Sequence, residues 1–180
     1  MDRIEKRLEL LKEILKNPDV LVSTMEVPFY VFDYDVEDEP VVEYHLEKIV
    51  AVLPFEVCKA HIFHILVEVL KEAEYISYLF GRGRSEVFEN ILSFVSDVRD
   101  RILKSSNNAD IVFITGVGEG YPFLRVSNIL NDLEGHLNVP VVVFYPGTFD
   151  GVKFLLFRRL EDGVYYRAKP IIEREWGDRR

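Results

Sequence analysis

Apolar positions recur with two different periods along this chain, and each change of period marks a new element. Ile4, Leu8, Leu11 and Leu15 share one helical face, with Glu5, Lys6, Arg7, Glu9, Lys12 and Glu13 mostly elsewhere. That spacing predicts an amphipathic helix over residues 2–16, ended by Asn17-Pro18. Pro28 to Asp35 (PFYVFDYD) is aromatic and β-branched and predicts a strand. Asp38-Glu39-Pro40 opens a second helix with Val42, Leu46, Ile49, Val50 and Leu53 inward, closed by Pro54. A short strand is expected over Phe55 to Lys59 and a helix over His61 to Lys71. Glu74 to Phe80 predicts a further helical turn, and Gly81-Arg-Gly-Arg84 a flexible hinge. Ser85 then caps a helix with Phe88, Ile91, Leu92, Val95 and Ile102 inward.

The densest pattern runs from Asp110 to Gly151. Ile111 to Ile114 is a continuous apolar run, too short for a helix and cut off by Thr115 and Gly116, as in a strand buried on both faces of a parallel sheet. Gly116, Gly118 and Gly120 form a loop able to turn sharply. Pro122 suits a first helical turn, and Phe123, Val126, Ile129, Leu130 and Leu133 follow at helical spacing up to Gly135. Val139 to Tyr145 is a second buried strand, closed by Pro146 and Gly147. Together they make a βαβ unit with a right-handed crossover. Val152 to Leu160 and Val164 to Lys169, about a turn at Glu161-Asp-Gly163, predict a hairpin. The expectation is a single-domain α/β, Rossmann-like three-layer sandwich with a mostly parallel sheet and a C-terminal antiparallel hairpin at its edge. The domain spans residues 1–172. Residues 173–180 are a charged tail whose Trp176 either folds back or anchors a partner.

Composition narrows the class. The chain has 180 residues, 48% of them apolar and 29% charged, which suits one folded domain with its own core. A net charge of -9 works against direct nucleic-acid binding, because phosphate contacts need clustered Lys and Arg. A single cysteine, Cys58, permits no intrachain disulfide and suits a reducing compartment. No run approaches the roughly 18–20 apolar residues that span a bilayer. A cytoplasmic protein without membrane contact is expected.

Loops at the carboxyl ends of parallel strands are where α/β proteins keep their sites. Here they carry Asp33, Asp35, Gly116, Gly118, Glu119, Arg125, Asn128 and Asp150. Asp33-x-Asp35 suits a divalent cation through hard oxygens, but equally caps a helix or lies solvated, and the latter is favoured without a third ligand. The loop TGVGEGYPFLR fails both nucleotide motifs: it has no P-loop lysine, and its glycines alternate where a dinucleotide fingerprint needs G-x-G-x-x-G. Arg125 shares a helical face with Asn128 and Asp132, and either bridges Glu119 or Asp33 or meets an anionic ligand. His61, His64 and Glu68 share a helical face, yet no HExxH or cysteine pair accompanies them, so packed histidines are the expectation. No catalytic constellation, metal or cofactor is expected.

The runs VFITGVGEGYPFLRVSNILNDL, VPVVVFYPGTFDG and LFRRLEDGVYYRA resemble the signature of the BrxB family, small proteins of the BREX bacteriophage-exclusion systems. The matching residues are Gly116, Gly118, Glu119, Pro122, Phe123, Arg125, Leu130, Pro146, Gly147, Gly151, Tyr166 and Arg167. Gly120 departs from the pattern, where a bulkier residue is usual. The resemblance implies a non-enzymatic component of an anti-phage complex, working beside a methyltransferase, an AAA-type ATPase and a PglZ-type protein. It implies an adaptor contacting the PglZ-type protein; self-association is left open. The alternative is a small nucleotide- or anion-binding regulatory protein using the Gly116–Arg125 loop. A metal-dependent hydrolase built on Asp33, Asp35 and Asp150 ranks last.

Overall fold

The computed structural model describes residues 3–17, 21, 29–72, 84–165 and 167–174, and within 84–93 the backbone alone. The expected turn at 74–80, the hinge at 81–83, the side chains of Ser85, Phe88, Ile91 and Leu92, Tyr166 and Trp176 lie outside those residues. The elements are α1 (Arg3–Leu15), β1 (Phe29–Tyr34), a 3-10 turn (Val36–Asp38), α2 (Glu39–Val50), β2 (Val57–His61), α3 (Ile62–Glu72) and α4 (Arg84–Ser105). They continue with β3 (Ile111–Thr115), α5 (Val117–Gly120), α6 (Val126–Leu133), β4 (Val141–Phe149), β5 (Lys153–Leu156), β6 (Leu160–Val164) and β7 (Ala168–Pro170).

Five strands form a parallel sheet in the order β2-β3-β4-β1-β7, and β5 and β6 add antiparallel to the far end of β4. Strand alternation divides the core into two layers. Phe29 and Val31, with Val112, Ile114, Val141 and Val143, pack against Leu66, Val98, Ile102, Ile129 and Leu130 of α3, α4 and α6. Tyr30 and Phe32, with Phe113, Val142 and Phe144, pack against Leu8, Leu11 and Leu15 of α1 and Leu46 and Ile49 of α2. This is the three-layer α/β sandwich expected of continuous apolar strands, which need cover on both faces.

Several boundaries differ from expectation, each for a local reason. β2 begins two residues late, because Asp110 accepts from Glu56 N–H (2.9 Å) and pins the chain just before the strand. His61 therefore ends β2 instead of opening α3. The helix expected from Pro122 to Leu133 begins only at Val126, and the four-residue α5 stands in the glycine loop expected ahead of it. Tyr121 precedes a proline, is disfavoured in the helical region, and adopts φ -71°, ψ 140°. Arg125 is also extended, so α6 starts only at Val126, Leu124 is buried, and Phe123 is 49% exposed instead of inward. β4 runs through Pro146 and Gly147 to Phe149, because its far end pairs with β5.

The hairpin turns at Phe157–Arg159, not at Glu161-Asp-Gly163. Phe157 and Arg158 take left-handed φ values of 51° and 59°, costly for side-chain-bearing residues. Tertiary contacts hold them: Phe157 N–H donates to Pro146 O (2.9 Å) and Arg158 pairs with Asp35 at 2.6 Å. The second run expected in the hairpin becomes β7, parallel to β1 at the sheet edge. Gly163 lies within β6 at φ 97°, and a Cβ there would overlap Ser127 of α6. Ser127 donates to Asp162 O at 2.8 Å, so this close approach seats α6 on the hairpin. Gly163→Ala combines a left-handed alanine with that overlap and is expected to destabilise the fold by about 2 kcal/mol, measured by urea denaturation.

Candidate functional site

In doubly wound sheets ligands sit beyond the strand ends where successive connections leave to opposite faces. Here β1 leads to α2 on one face, while β2 and β3 lead to α3 and α6 on the other. The crevice at β1 and β4 is filled by the protein's own charges. Asp33 is 4% exposed at the end of β1. Its Oδ1 lies 3.2 Å from Arg7 Nη2 and 3.2 Å from Arg174 Nε, and its Oδ2 accepts Phe149 N–H at 3.2 Å. Arg7 Nη1 also donates to Asp33 O at 2.7 Å, with its guanidinium 4.7 Å above the Phe32 ring. Asp35 Oδ1 receives Arg174 Nη1 at 3.1 Å and Arg158 Nη2 at 2.6 Å. Asp33 and Asp35 thus point the same way, as extended alternation requires, but into arginines and not towards a cation.

The three arginines come from α1, the hairpin turn and the segment after β7. Arg7 carried a sequence signal: it stands three residues after Ile4 and four before Leu11, on the flank of the apolar face. Arg158 and Arg174 carried none. Asp150, the third carboxylate of the hydrolase reading, closes a turn by accepting Val152 N–H (3.0 Å) and Lys153 N–H (2.8 Å). Those bonds, Lys153 N–H foremost, hold its carboxyl below the usual range. The three aspartates do not converge.

The glycine loop faces a second, open feature. A groove of about 830 Å³ crosses the ends of β2 and β3, walled by Pro40, Glu43 and Tyr44 of α2 and floored by His61, Thr115 and Glu119. Gly116, at φ 71°, lies directly under the His61 ring, which a Cβ would overlap. The His61 and His64 rings stack at 3.7 Å between centroids, and His61 Nε2 lies 3.7 Å from Glu119 Oε2. Ligand atoms of His61, His64 and Glu119 all lie within 4.8 Å of one another. Burial, then the neighbouring His64, holds the His61 imidazole below its ordinary range. Glu68, the third member expected by spacing, instead lies 3.9 Å from Arg101. Glu119 takes its place from a loop distant in sequence, beyond the reach of any helical periodicity. Gly118 packs close to Phe157 of the hairpin turn.

Arg125 bridges neither Glu119 nor Asp33. The turn over residues 121–123 carries it to the start of α6, where its charge acts on Asp162. Asn128, on the same helix, is exposed. Asp162 is fully buried, accepts Val126 N–H at the start of α6, and lies 3.5 Å from the Tyr145 hydroxyl. Its Oδ1 has no hydrogen-bond partner. Burial pushes its carboxyl up to about 7, while the Val126 amide and Arg125 pull the other way.

Removing Asp33 takes from Arg7 the carboxylate it pairs with and leaves the buried Arg174 with Asp35 alone. Asp33→Ala is expected to cost about 3–5 kcal/mol in denaturant unfolding, far more than Asp150→Ala at an exposed turn. For Asp162 the folded carboxyl holds its proton more tightly than the unfolded one, whose ordinary value is 3.8. Stability should therefore fall as pH rises from about 4 to about 7 and level off above. Asp162→Asn is expected to flatten that fall and to raise stability at pH 8 by about 1–3 kcal/mol, read from melts across pH.

No helix among the described residues is long and apolar enough to cross a membrane. No solved structure matches the chain. Residues 58–171 match the family model described as BREX protein BrxB. A BREX protein BrxB of Bacillus cereus (strain H3081.97) is 32% identical over 167 residues, covering 83% of this chain and 85% of that protein. One of Escherichia coli O9:H4 (strain HS) is 26% identical over 161 residues, covering 83% and 80%. The family match runs along the chain from β2 to β7, through the glycine loop and the hairpin, and with the relative's coverage it shows that the chain belongs to the BrxB family of BREX proteins.

Proposed function

We propose that this BrxB-family chain is a non-catalytic adaptor of a BREX-like anti-phage complex, working in the cytoplasm and contacting a PglZ-type protein. One observation carries the reading: the crevice where an α/β enzyme would hold its ligand is plugged by Arg7, Arg158 and Arg174 on Asp33 and Asp35. The charges that chemistry would use are consumed by holding the fold closed. Around the same strand ends the surface exposes apolar side chains in an acidic setting. Tyr44 (59% exposed) lines the groove with Glu43 and Glu119, Val36 (40%) adjoins Glu37 just after β1, and Phe123 (49%) follows the glycine loop. Large exposed side chains ringed by charge suit the centre of a protein interface, where aromatic anchors carry most of the energy.

The anion-binding alternative finds less support. Glu119 brings negative charge to the loop, α5 is only four residues long, and Arg125 is drawn towards Asp162. Purified chain immobilised as bait and offered the PglZ-type protein, the methyltransferase and the ATPase of one BREX system is expected to retain the PglZ-type protein. Phe123→Ala and Tyr44→Ala should each weaken retention by about tenfold with unchanged melting, because both side chains are exposed. No retained component, or retention indifferent to both changes, would remove the adaptor reading.

A further inference from the structure

We propose that His61, His64 and Glu119 bind one divalent cation of borderline softness, Zn²⁺ foremost, at the groove over the ends of β2 and β3. The site does not depend on the adaptor reading, and no catalytic role is assigned to it. Its donors are two imidazoles and one carboxylate, a set that suits zinc. They come from three elements: the end of β2, the first turn of α3, and α5 in the glycine loop. The ligand atoms lie within 4.8 Å of one another. Tetrahedral coordination at Zn–N and Zn–O distances of about 2.0–2.2 Å needs separations near 3.4 Å. Closing that difference takes rotation of the exposed Glu119 and a shift of the exposed His64 ring along its stack on His61.

Three features make this a ligand set and not a chance meeting of side chains. Gly116 lacks the Cβ that would overlap the His61 ring, so backbone geometry makes room for the imidazole beside the loop. The two rings stack at 3.7 Å and 12°, which sets both imidazoles side by side at the groove. Glu119 supplies one negative charge beside them, 3.7 Å from His61 Nε2. Binding through Nε2 makes Nδ1 the protonated nitrogen, so the His64 N–H contact to Nδ1 is given up; at 3.4 Å it is a weak one. Three protein ligands leave a fourth position facing the groove, open to water or to a carboxylate of a bound partner. The cation would tie the first turn of α3 to the glycine loop.

The test uses the full chain without a histidine tag, stripped with chelator and titrated with Zn²⁺ alone by calorimetry, with metal content measured after desalting. One equivalent per chain is expected, with a rise in melting temperature. His61→Ala, His64→Ala and Glu119→Gln should each weaken binding at least about tenfold. His45→Ala and His136→Ala, which change the other two histidines, should leave it intact. Should His61→Ala fold poorly for loss of its packing on Gly116, the exposed His64→Ala decides. Absence of binding by the unaltered chain, or binding that survives His64→Ala and Glu119→Gln, overturns the proposal.

Discussion

The buried carboxylate of Asp33 is the constraint on which the molecule closes. It sits 4% exposed at the end of a central strand, and α1, β4 and the segment after β7 all reach it. An unpaired carboxylate there would be intolerable, and so would the guanidinium of Arg174, whose side chain is 6% exposed. Neither group is tolerable alone, so each specifies where the other must be. Buried ion pairs of this kind add little net stability compared with apolar packing, but they penalise misplacement heavily. The first helix and the last described segment are thereby brought to the same strand end.

That closure shapes what the surface has left to offer. With the crevice at β1 and β4 filled, the open ground at the strand ends shifts sideways, to the groove over β2 and β3 and the apolar side chains beside it. A fold that elsewhere presents a ligand crevice here presents a rim. The same economy appears at the hairpin. Asp162 is buried against the start of α6, Ser127 donates to its backbone carbonyl, and Gly163 lets the helix come close. The helix that follows the glycine loop is therefore anchored from the strand side, although no side chain of its own caps it.

Much of the architecture was legible residue by residue. The run from Phe29 to Phe32 is buried throughout and feeds two cores alternately, as its unbroken apolar character requires. Ile4, Leu8, Leu11 and Leu15 are all buried on one side of α1. The glycine loop was correctly placed between two parallel neighbours. Less legible were the breaks. A pre-proline tyrosine and an extended arginine delayed to Val126 a helix whose apolar spacing began at Phe123, because spacing records which faces could be buried, not whether the backbone is helical.

What the sequence by itself determined is therefore the local alphabet: which segments are strands buried on both faces, which helices have one apolar side, and that the strand ends are polar. Those follow from side-chain periodicity, a property of neighbouring residues. The tertiary structure alone decided who meets whom. Arg7 reaches Asp33 across 26 positions and Arg174 reaches Asp35 across 139. Glu119 replaces Glu68 beside two histidines, and two left-handed residues turn a hairpin with no glycine between them. Such partnerships are created by strand order, and one-dimensional spacing carries no record of it, because charge attracts through space and not along the chain.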